Sequence, residues 1–365
     1  MNIAILGARG MPSTYGGYET FIQELAPALA ERGHQVTVYC RRKLFAERPR
    51  AYKGVRLVYL PSIETKNLGT LTHTAIATLH VLMSDVDVAL LVNPANGWYC
   101  LPHRILGKKV AINLDGLEWK RGKWNLLGKL FFYCAARAAT YFANELVNDS
   151  EAMKGFYLKT WKKDSTFIPY GAFIERPRKP EIVSKYGLDP RRYLLILSRL
   201  VPDNNADLII KAFEKVKTSM NLAIGGDVNY QSKFVDDLKK TTDRRIIFLG
   251  HIDDKNNVSE LFCNAFAYVH GHEFGGTNPA LLTALGCGNC ILALNTPFNR
   301  EVLGDYGVLF AKSVESLKEK LQHIVDHPEI AEGFRHRAPC RIKEAYSWES
   351  IADKYEVLFQ RMISS

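Results

Sequence analysis

The sequence predicts an α/β protein of two doubly wound, Rossmann-like domains with a cleft between them. Three observations carry this. Apolar strand candidates alternate with helical stretches from Asn2 to Val147, and a second alternating set runs from Tyr193 to Leu294. The sets are separated near Ile168–Ala172, ahead of a polar, proline-bearing segment, Glu175–Glu181. At 365 residues the chain is long enough for each domain to bury its own core. The expected boundaries are 1–170 and 171–347, with a closing helix over 348–365.

Composition narrows the class. A 47% hydrophobic content with 24% charged residues is that of a globular chain. No apolar run reaches the roughly 20 residues a bilayer span needs, and Asn2–Leu6 runs straight into a glycine turn where a secretory signal would lie. The seven cysteines are scattered and odd in number, which suits a reducing cytoplasm. Cys287 and Cys290 have metal or redox spacing, but no second pair completes a zinc site, so they are expected to fill the core. The net charge of +10 points to an acidic partner: phosphate-bearing substrates, anionic lipid or nucleic acid.

The first domain opens with the strand Asn2–Leu6 and a loop, Gly7–Gly17. A helix follows with Phe21, Ile22, Leu25 and Leu29 on one face, Pro27 inside it and Gly33 as its stop. Gln35–Cys40 is the next strand, which completes a β-loop-α-β unit. The loop lacks the Gly-x-Gly-x-x-Gly dinucleotide fingerprint, so a dehydrogenase is disfavoured. Its Gly16-Gly17 pair sits at a helix entrance where backbone can approach a phosphate, and Arg9 adds a charge. Further strands are expected at Val55–Leu60, Val86–Val92, Val110–Leu114 and Glu145–Val147. Asp85-Val-Asp87 has the spacing of a metal-dependent transferase, but it precedes its strand. Ligands in such sheets bind at the carboxyl ends, so the pair is a decoy.

Asp115 follows the strand Val110–Leu114 at its carboxyl end and is followed by Gly116. It is either a residue of the cleft or a turn residue. Trp119, Lys120, Arg121, Lys123 and Trp124 then mix aromatic and basic side chains ahead of the apolar stretch Leu126–Phe142. That composition suits an anionic lipid surface with the rings at headgroup level, or a core helix with snorkelling flanks. No recognised nucleic-acid motif accompanies it.

In the second domain, strands are expected at Tyr193–Ser198, Asn221–Ile224, Ile246–Leu249, Ala265–Val269 and Asn289–Leu294. Helices are expected at Ala206–Val216, Phe234–Lys240, Val258–Cys263, Pro279–Leu285 and Trp348–Ile363. The loop His270–Asn278 holds paired glycines, Gly275 and Gly276, and ends where Thr277 or Asn278 can cap the helix that opens with Pro279. A strand, a glycine loop and a helix N-terminus form either a site for a phosphate or diphosphate or an ordinary strand-to-helix turn.

Several motifs together resemble the GT-B glycosyltransferases of family 4, retaining enzymes that use nucleotide sugars. They are Gly16-Gly17-Tyr-Glu19, Gly33-His-Gln-Val36, Ser198-Arg-Leu200, Phe248-Leu-Gly250 and Tyr346-Ser-Trp-Glu349, which fall in the family's order and cover nearly the whole chain. Asp115-Gly-Leu-Glu-Trp-Lys-Arg, Pro202-Asp-Asn-Asn205, Gly275-Gly-Thr-Asn-Pro279 and Phe298-Asn-Arg-Glu301 resemble its bacterial rhamnosyltransferase branch. Members of that branch build surface polysaccharides at the inner face of the cytoplasmic membrane. The resemblance implies a GT-B fold in which the closing helix crosses back to the first domain. The second domain then holds the nucleotide-sugar donor and the first presents a lipid-linked or saccharide acceptor. It implies L-rhamnose from a deoxythymidine diphosphate donor, with glucosyl, galactosyl or N-acetylhexosaminyl transfer and a non-catalytic nucleotide binder as alternatives. No nucleic-acid partner, metal or other cofactor is implied.

By the same resemblance, Arg199 is the cation that neutralises the diphosphate, and Asn204 stands where many relatives carry a lysine. Gly16 and Gly17 approach the leaving phosphate from the first domain. Asp115 falls beside the anomeric centre, to orient the acceptor or stabilise positive charge. His272, Gly275, Gly276, Thr277, Asn278 and Thr283 line the donor loop. One departure stands out. The family carries a Glu-x7-Glu pair whose second glutamate grips the ribose; here those positions are Gly275 and Thr283, and the nearby Glu273 does not restore the spacing.

Overall fold

A computed structural model describes residues 1–12, 16–65, 68–120, 124–226 and 232–364. The chain divides into two compact units, Met1–Tyr170 with Trp348–Ser365, and Gly171–Ser347.

The first unit contains β1 (Asn2–Leu6), α1 (Gly17–Glu31), β2 (Gln35–Arg41), β3 (Ala51–Tyr52), β4 (Val55–Leu60) and α2 (Leu68–Leu82). It continues with β5 (Val88–Val92), α3 (Cys100–Ile105), β6 (Lys109–Leu114), α4 (Leu126–Phe142), β7 (Glu145–Asn148), α5 (Glu151–Trp161) and β8 (Thr166–Phe167). Its eight strands lie in the order β3-β4-β2-β1-β5-β6-β7-β8. Every pairing is parallel except β3 with β4. All five residues of β5 are buried, as expected of a central parallel strand covered on both faces. The strand begins at Val88, and Asp87 sits at the sheet's amino edge, its N–H donating to Asn2 O at 2.9 Å and its Oδ2 accepting the Asn2 N–H at 2.7 Å. That contact gives the Asp85-Val-Asp87 pair a structural use at the end opposite the ligand edge.

The second unit contains β9 (Tyr193–Leu197), α6 (Ala206–Phe213), β10 (Asn221–Gly225), α7 (Lys233–Leu238), β11 (Ile246–Gly250) and α8 (Lys255–Asn264). It goes on to β12 (Ala267–His270), α9 (Pro279–Gly286), β13 (Cys290–Leu294), α10 (Pro297–Leu303), β14 (Val308–Phe310), α11 (Val314–Asp326) and α12 (Pro328–Arg341). Its six strands are all parallel, in the order β11-β10-β9-β12-β13-β14. Leu194, Ile196, Leu222, Ile224, Val269, Leu292 and the helix residues Ile209 and Phe213 form one buried cluster.

The last helix, α13 (Trp348–Ser364), belongs to the first unit. Phe21 of α1 packs against Trp348 and Tyr355 at ring separations of 6.4 and 5.5 Å. Asn113 Nδ2 donates to the buried Tyr355 hydroxyl at 2.8 Å, and Arg32 pairs with Asp353 at 2.6 Å. Burial of an aromatic ring such as Tyr355 contributes about 1.5–3 kcal/mol, so apolar contact holds this helix and the exposed ion pair adds little.

Candidate functional site

Strand order locates the ligand edge of each sheet. In the second unit the order reverses between β9 and β12, and ligands bind outside the carboxyl ends of strands at such a switch point. The segments leaving those two strands are Ser198–Asn205 and Gly271–Asn278, the two that hold most of the expected donor residues.

The two segments are bonded to each other. Asn205 Nδ2 donates to Gly271 O and to Glu273 Oε1, both at 2.8 Å, and the Glu273 N–H donates to Asp203 O at 3.1 Å. Gly271 has no room for a side chain, since a Cβ there would lie 2.4 Å from Asn204 O. Asn204 is buried, and its Nδ2 donates to Arg199 O at 2.7 Å. In place of a second cation it therefore supplies a clamp on the Arg199 backbone. The Arg199 side chain is exposed, and among the described residues no carboxylate pairs with it. A cation held at a ligand edge by its backbone, with its guanidinium uncommitted, can receive a phosphate with little reorganisation.

Asn278 is the N-cap of α9, its side chain accepting the Ala280 N–H at 2.9 Å. Gly275 has φ 149°, a conformation that glycine alone adopts without strain. Gly276 and Thr277 are buried, Asn278 is partly buried, and His272 stacks on the buried His270 at 4.3 Å with an interplanar angle of 10°. Burial, with His272 beside it, holds the His270 pKa well below the usual histidine range, so its ring is neutral at physiological pH. Thr283 lies on the outer face of α9, whose Leu281, Leu282, Ala284 and Leu285 point inward. Its hydroxyl donates to Pro279 O at 3.0 Å and is thereby tied into its own helix. Glu273 is held by Asn205 and forms an ion pair with Lys312. Beside this loop lies a cavity of about 310 Å³, lined by Glu273, Phe274, Leu294, Asn295, Thr296, Pro297, Phe298 and Lys312.

In the first unit the order reverses between β1 and β5. Gly16 has φ 115°, and a Cβ there would fall 1.9 Å from the Glu19 carboxylate, which also accepts the Arg9 N–H at 3.2 Å. Glu19 thus fills the space beside Gly16. At Gly17 φ is ordinary and, among the described residues, no atom beyond its chain neighbours and own helix backbone lies within 4 Å of a Cβ position, so none of them demands a glycine. Asp115 follows β6 at its carboxyl end and is partly buried. It accepts a hydrogen bond from Tyr18 of α1 and one from Tyr170 at 3.2 Å. Burial first, then the Asp115 charge, raises both phenols well above the ordinary tyrosine range, so both stay protonated donors.

Tyr18, Asn205 and Asn299 lie within the quoted motifs but, like Tyr170, had no role assigned from sequence. Asn299 Nδ2 donates to His272 O and Leu294 O, both at 2.9 Å, and so stitches the glycine loop to the end of β13. Reasoning from sequence missed Asp149, a buried carboxylate just after β7 whose charge acts on both tyrosines. The signal was present, since Asp149 has the same place after its strand that singled out Asp115.

The tryptophans near α4 are not splayed outward. Trp119 packs on Tyr133, Phe156 and Trp161 at 5.8, 6.1 and 5.6 Å, and Trp124 packs on Phe132 at 4.8 Å. The most exposed aliphatic side chains of α4 are instead Leu126, Leu127 and Leu130, at 81%, 75% and 57% exposure. Lys120 lies over the Phe156 ring, whereas Arg121 and Lys123 fall outside the described residues. Among the described residues, no helix is long and apolar enough to cross a membrane.

Two family models match the chain in tandem: Glycosyltransferase Family 4 over residues 15–176 and Glycosyl transferases group 1 over residues 178–341. An uncharacterized glycosyltransferase of Methanocaldococcus jannaschii is 24% identical over 256 residues, 65% of this chain and 62% of the relative's own length. The match thus spans about three-fifths of that relative. Sucrose-phosphate synthase from Thermosynechococcus elongatus superposes with a TM-score of 0.80 at 16% identity, covering 100% of this chain and 99% of its own. HepE of Anabaena, solved with UDP, gives 0.79 at 15% identity, over 99% of this chain and 100% of its own. WaaG, involved in lipopolysaccharide biosynthesis, gives 0.73 at 18% identity, over 96% and 98%.

Proposed function

The two glycosyltransferase domains matched end to end across residues 15–341 make the chain a GT-B glycosyltransferase, and from that membership we propose that it moves a sugar from a nucleoside diphosphate donor with retention of configuration. The observation that carries this is the exposed, carboxylate-free guanidinium of Arg199 on a segment bonded to the glycine loop at the switch point. Solved complexes of HepE with UDP and UDP-glucose favour a donor of that chemical class. In this assignment Arg199, Gly275, Gly276, Thr277 and the amino end of α9 receive the diphosphate, His272 and Thr283 flank the donor, and Asn204 and Asn278 hold the loops in shape. In the first unit Asp115 serves the acceptor, and Gly16 and Gly17 serve the leaving phosphate. Charge is supplied by the arginine and the helix end, with no metal required.

The donor we favour is deoxythymidine diphosphate-L-rhamnose, on the branch motifs alone, since neither sucrose-phosphate synthase nor WaaG is named for rhamnose. The acceptor we favour is lipid-linked or saccharide, in polysaccharide synthesis. A nucleotide-sugar panel read by thermal shift tests the donor, because a ligand at 100 times its Kd adds about 2.7 kcal/mol of stability. Product formation with the best binder separates an enzyme from a nucleotide-binding pseudoenzyme. Stabilisation by no nucleotide sugar would end the proposal.

Thr283→Glu is expected to tighten donor binding. A glutamate accepts both ribose hydroxyls through charge-assisted bonds, whereas the threonine hydroxyl is spent on Pro279 O. Glu273 cannot substitute freely while Lys312 and Asn205 hold it. Calorimetry should show affinity rising about 10-fold or more, with a larger gain for uridine than for deoxythymidine diphosphate, which lacks the 2′-hydroxyl. Equal affinity in both forms means that residue 283 does not face the ribose.

Gly17→Ala separates a ligand-facing glycine from a structural one. The described residues leave room for the methyl group, and alanine is favoured over glycine in a helix by about 1 kcal/mol, so thermal stability should hold or rise. Turnover should fall, because the methyl group occupies space kept for the leaving phosphate. Unchanged turnover removes Gly17 from the site.

We place the protein peripherally on the inner face of the cytoplasmic membrane, by way of Lys120 and the exposed leucines of α4. It should sediment with anionic vesicles, more weakly as salt rises. Replacing Lys120, Arg121 and Lys123 with glutamine should release it, and equal sedimentation of both forms refutes the idea.

A further inference from the structure

Two thiols and a carboxylate converge in the second unit at the far end of α9. Cys263 lies in the last turn of α8 and Cys287 is the C-cap residue of α9; they are 0% and 5% exposed. Glu175, half-buried, comes from the segment that leads into this unit, and its N–H donates to Gly286 O at 3.1 Å. Gly286 permits that approach, since a Cβ there would lie 2.0 Å from Phe173 O. The carboxylate oxygen and the two sulfur atoms all lie within 4.8 Å of one another. Among the described residues this is the one such group of three ligand side chains.

Spacing in the sequence paired Cys287 with Cys290, whereas the fold pairs it with Cys263, 24 residues away. Two neighbouring groups settle the composition of the cluster. The Ser259 hydroxyl donates to Glu175 Oε2, which orients the carboxylate as an outer-shell partner does for a metal ligand. Glu260, the adjacent acid, is committed elsewhere: it accepts the Arg178 and Lys179 N–H groups at 2.8 and 2.9 Å and Asn264 Nδ2 at 3.0 Å.

We propose that Glu175, Cys263 and Cys287 bind a divalent cation of the zinc class, with water completing a tetrahedron. Sulfur ligands at about 2.3 Å and a carboxylate oxygen at about 2.0–2.2 Å place ligand atoms roughly 3.5–4 Å apart, within reach of small side-chain shifts. The carboxylate favours Zn²⁺ over Cu⁺, which prefers soft ligands throughout, and two buried thiolates disfavour Mg²⁺ and Ca²⁺. On binding, the two thiol protons pass to solvent and the metal–sulfur bonds take their place. The ion would tie the ends of α8 and α9 to the 173–175 segment. It would thereby brace the helix whose amino end, about 12 Å away over eight residues, carries the glycine loop. This inference rests on no part of the donor assignment.

Cd²⁺ is the spectroscopic probe, because its bonds to thiolate give an ultraviolet charge-transfer band. Reduced, chelator-treated full-length protein should develop that band and saturate at one equivalent, and Zn²⁺ should displace Cd²⁺ and raise the melting temperature. C263S and C287S should each remove the band, while C340S, which alters an exposed thiol, should keep it. E175Q should weaken binding about 10-fold or more without touching either sulfur. Absence of the band from the parent protein overturns the site, and that result needs no variant to fold. So does a band that persists in both C263S and C287S, which would mean adventitious metal on other thiols. Unchanged affinity in E175Q overturns the three-ligand site.

Discussion

Asp115→Asn is expected to cut sugar transfer by at least about 100-fold while nucleotide affinity stays nearly unchanged. The substitution keeps the shape of the side chain and removes its charge. Tyr18 and Tyr170 both donate to this carboxylate, which fixes its orientation. An asparagine retains one acceptor oxygen, so the local fold should persist, but in the proposed acceptor role it no longer opposes positive charge at the anomeric carbon. Loss of one preorganised electrostatic group costs on the order of 2.7–4 kcal/mol in a water-poor site. Tyr18→Phe and Tyr170→Phe should each cost less, because the charge survives and only its positioning loosens. Transfer assays and nucleotide calorimetry on the three variants separate these effects. If Asp115→Asn loses nucleotide binding to the same extent as turnover, the residue is structural or belongs to the donor pocket.

Local chemistry made much of the architecture legible. Strands such as Val88–Val92 and Cys290–Leu294 are apolar throughout because parallel strands are covered on both faces. Proline and asparagine mark the start of α9 as capping predicts, and Gly33, at φ 85°, marks the end of α1. What was illegible depended on distant residues. Ala206–Val216 reads as one helix, yet α6 stops at Phe213. After Phe213 the Lys215 and Val216 N–H groups bond three residues back, to Ala212 O at 3.1 Å and Phe213 O at 2.9 Å, and Arg245, 29 residues beyond Val216, takes the next carbonyls, Val216 O at 2.8 Å and Thr218 O at 3.1 Å. The site divides in the same way. Arg199, Asp115 and the glycine loop could be named from motifs, because each lies just after a strand. The tyrosines that hold Asp115 come from 97 residues before it and 55 after it, and no local pattern joins them. Asn204, placed by resemblance at the donor, also bonds its Nδ2 to Arg199 O, a loop contact that the motif alone does not announce.

Arg199→Ala is expected to cost about 2–4 kcal/mol of transition-state stabilisation, seen as a loss in kcat/KM of roughly 30- to 1000-fold. The structure gives reason to expect this without a loss of folding. The segment around Arg199 is held through its backbone: Asn204 Nδ2 and the Val201 N–H both bond to Arg199 O, at 2.7 and 2.9 Å. Removing an exposed side chain that pairs with no carboxylate among the described residues should therefore shift stability by no more than about 0.5 kcal/mol. In the proposed donor assignment the charge that develops on the departing diphosphate loses its main cation, and Asn204, being neutral, cannot replace it. Arg199→Lys should recover part of the rate, since the ammonium restores the charge but not the two-pronged donor geometry of the guanidinium. Steady-state kinetics beside thermal melts decide the matter. Normal turnover in a folded alanine variant would remove Arg199 from the reaction and leave the diphosphate to the α9 entrance alone.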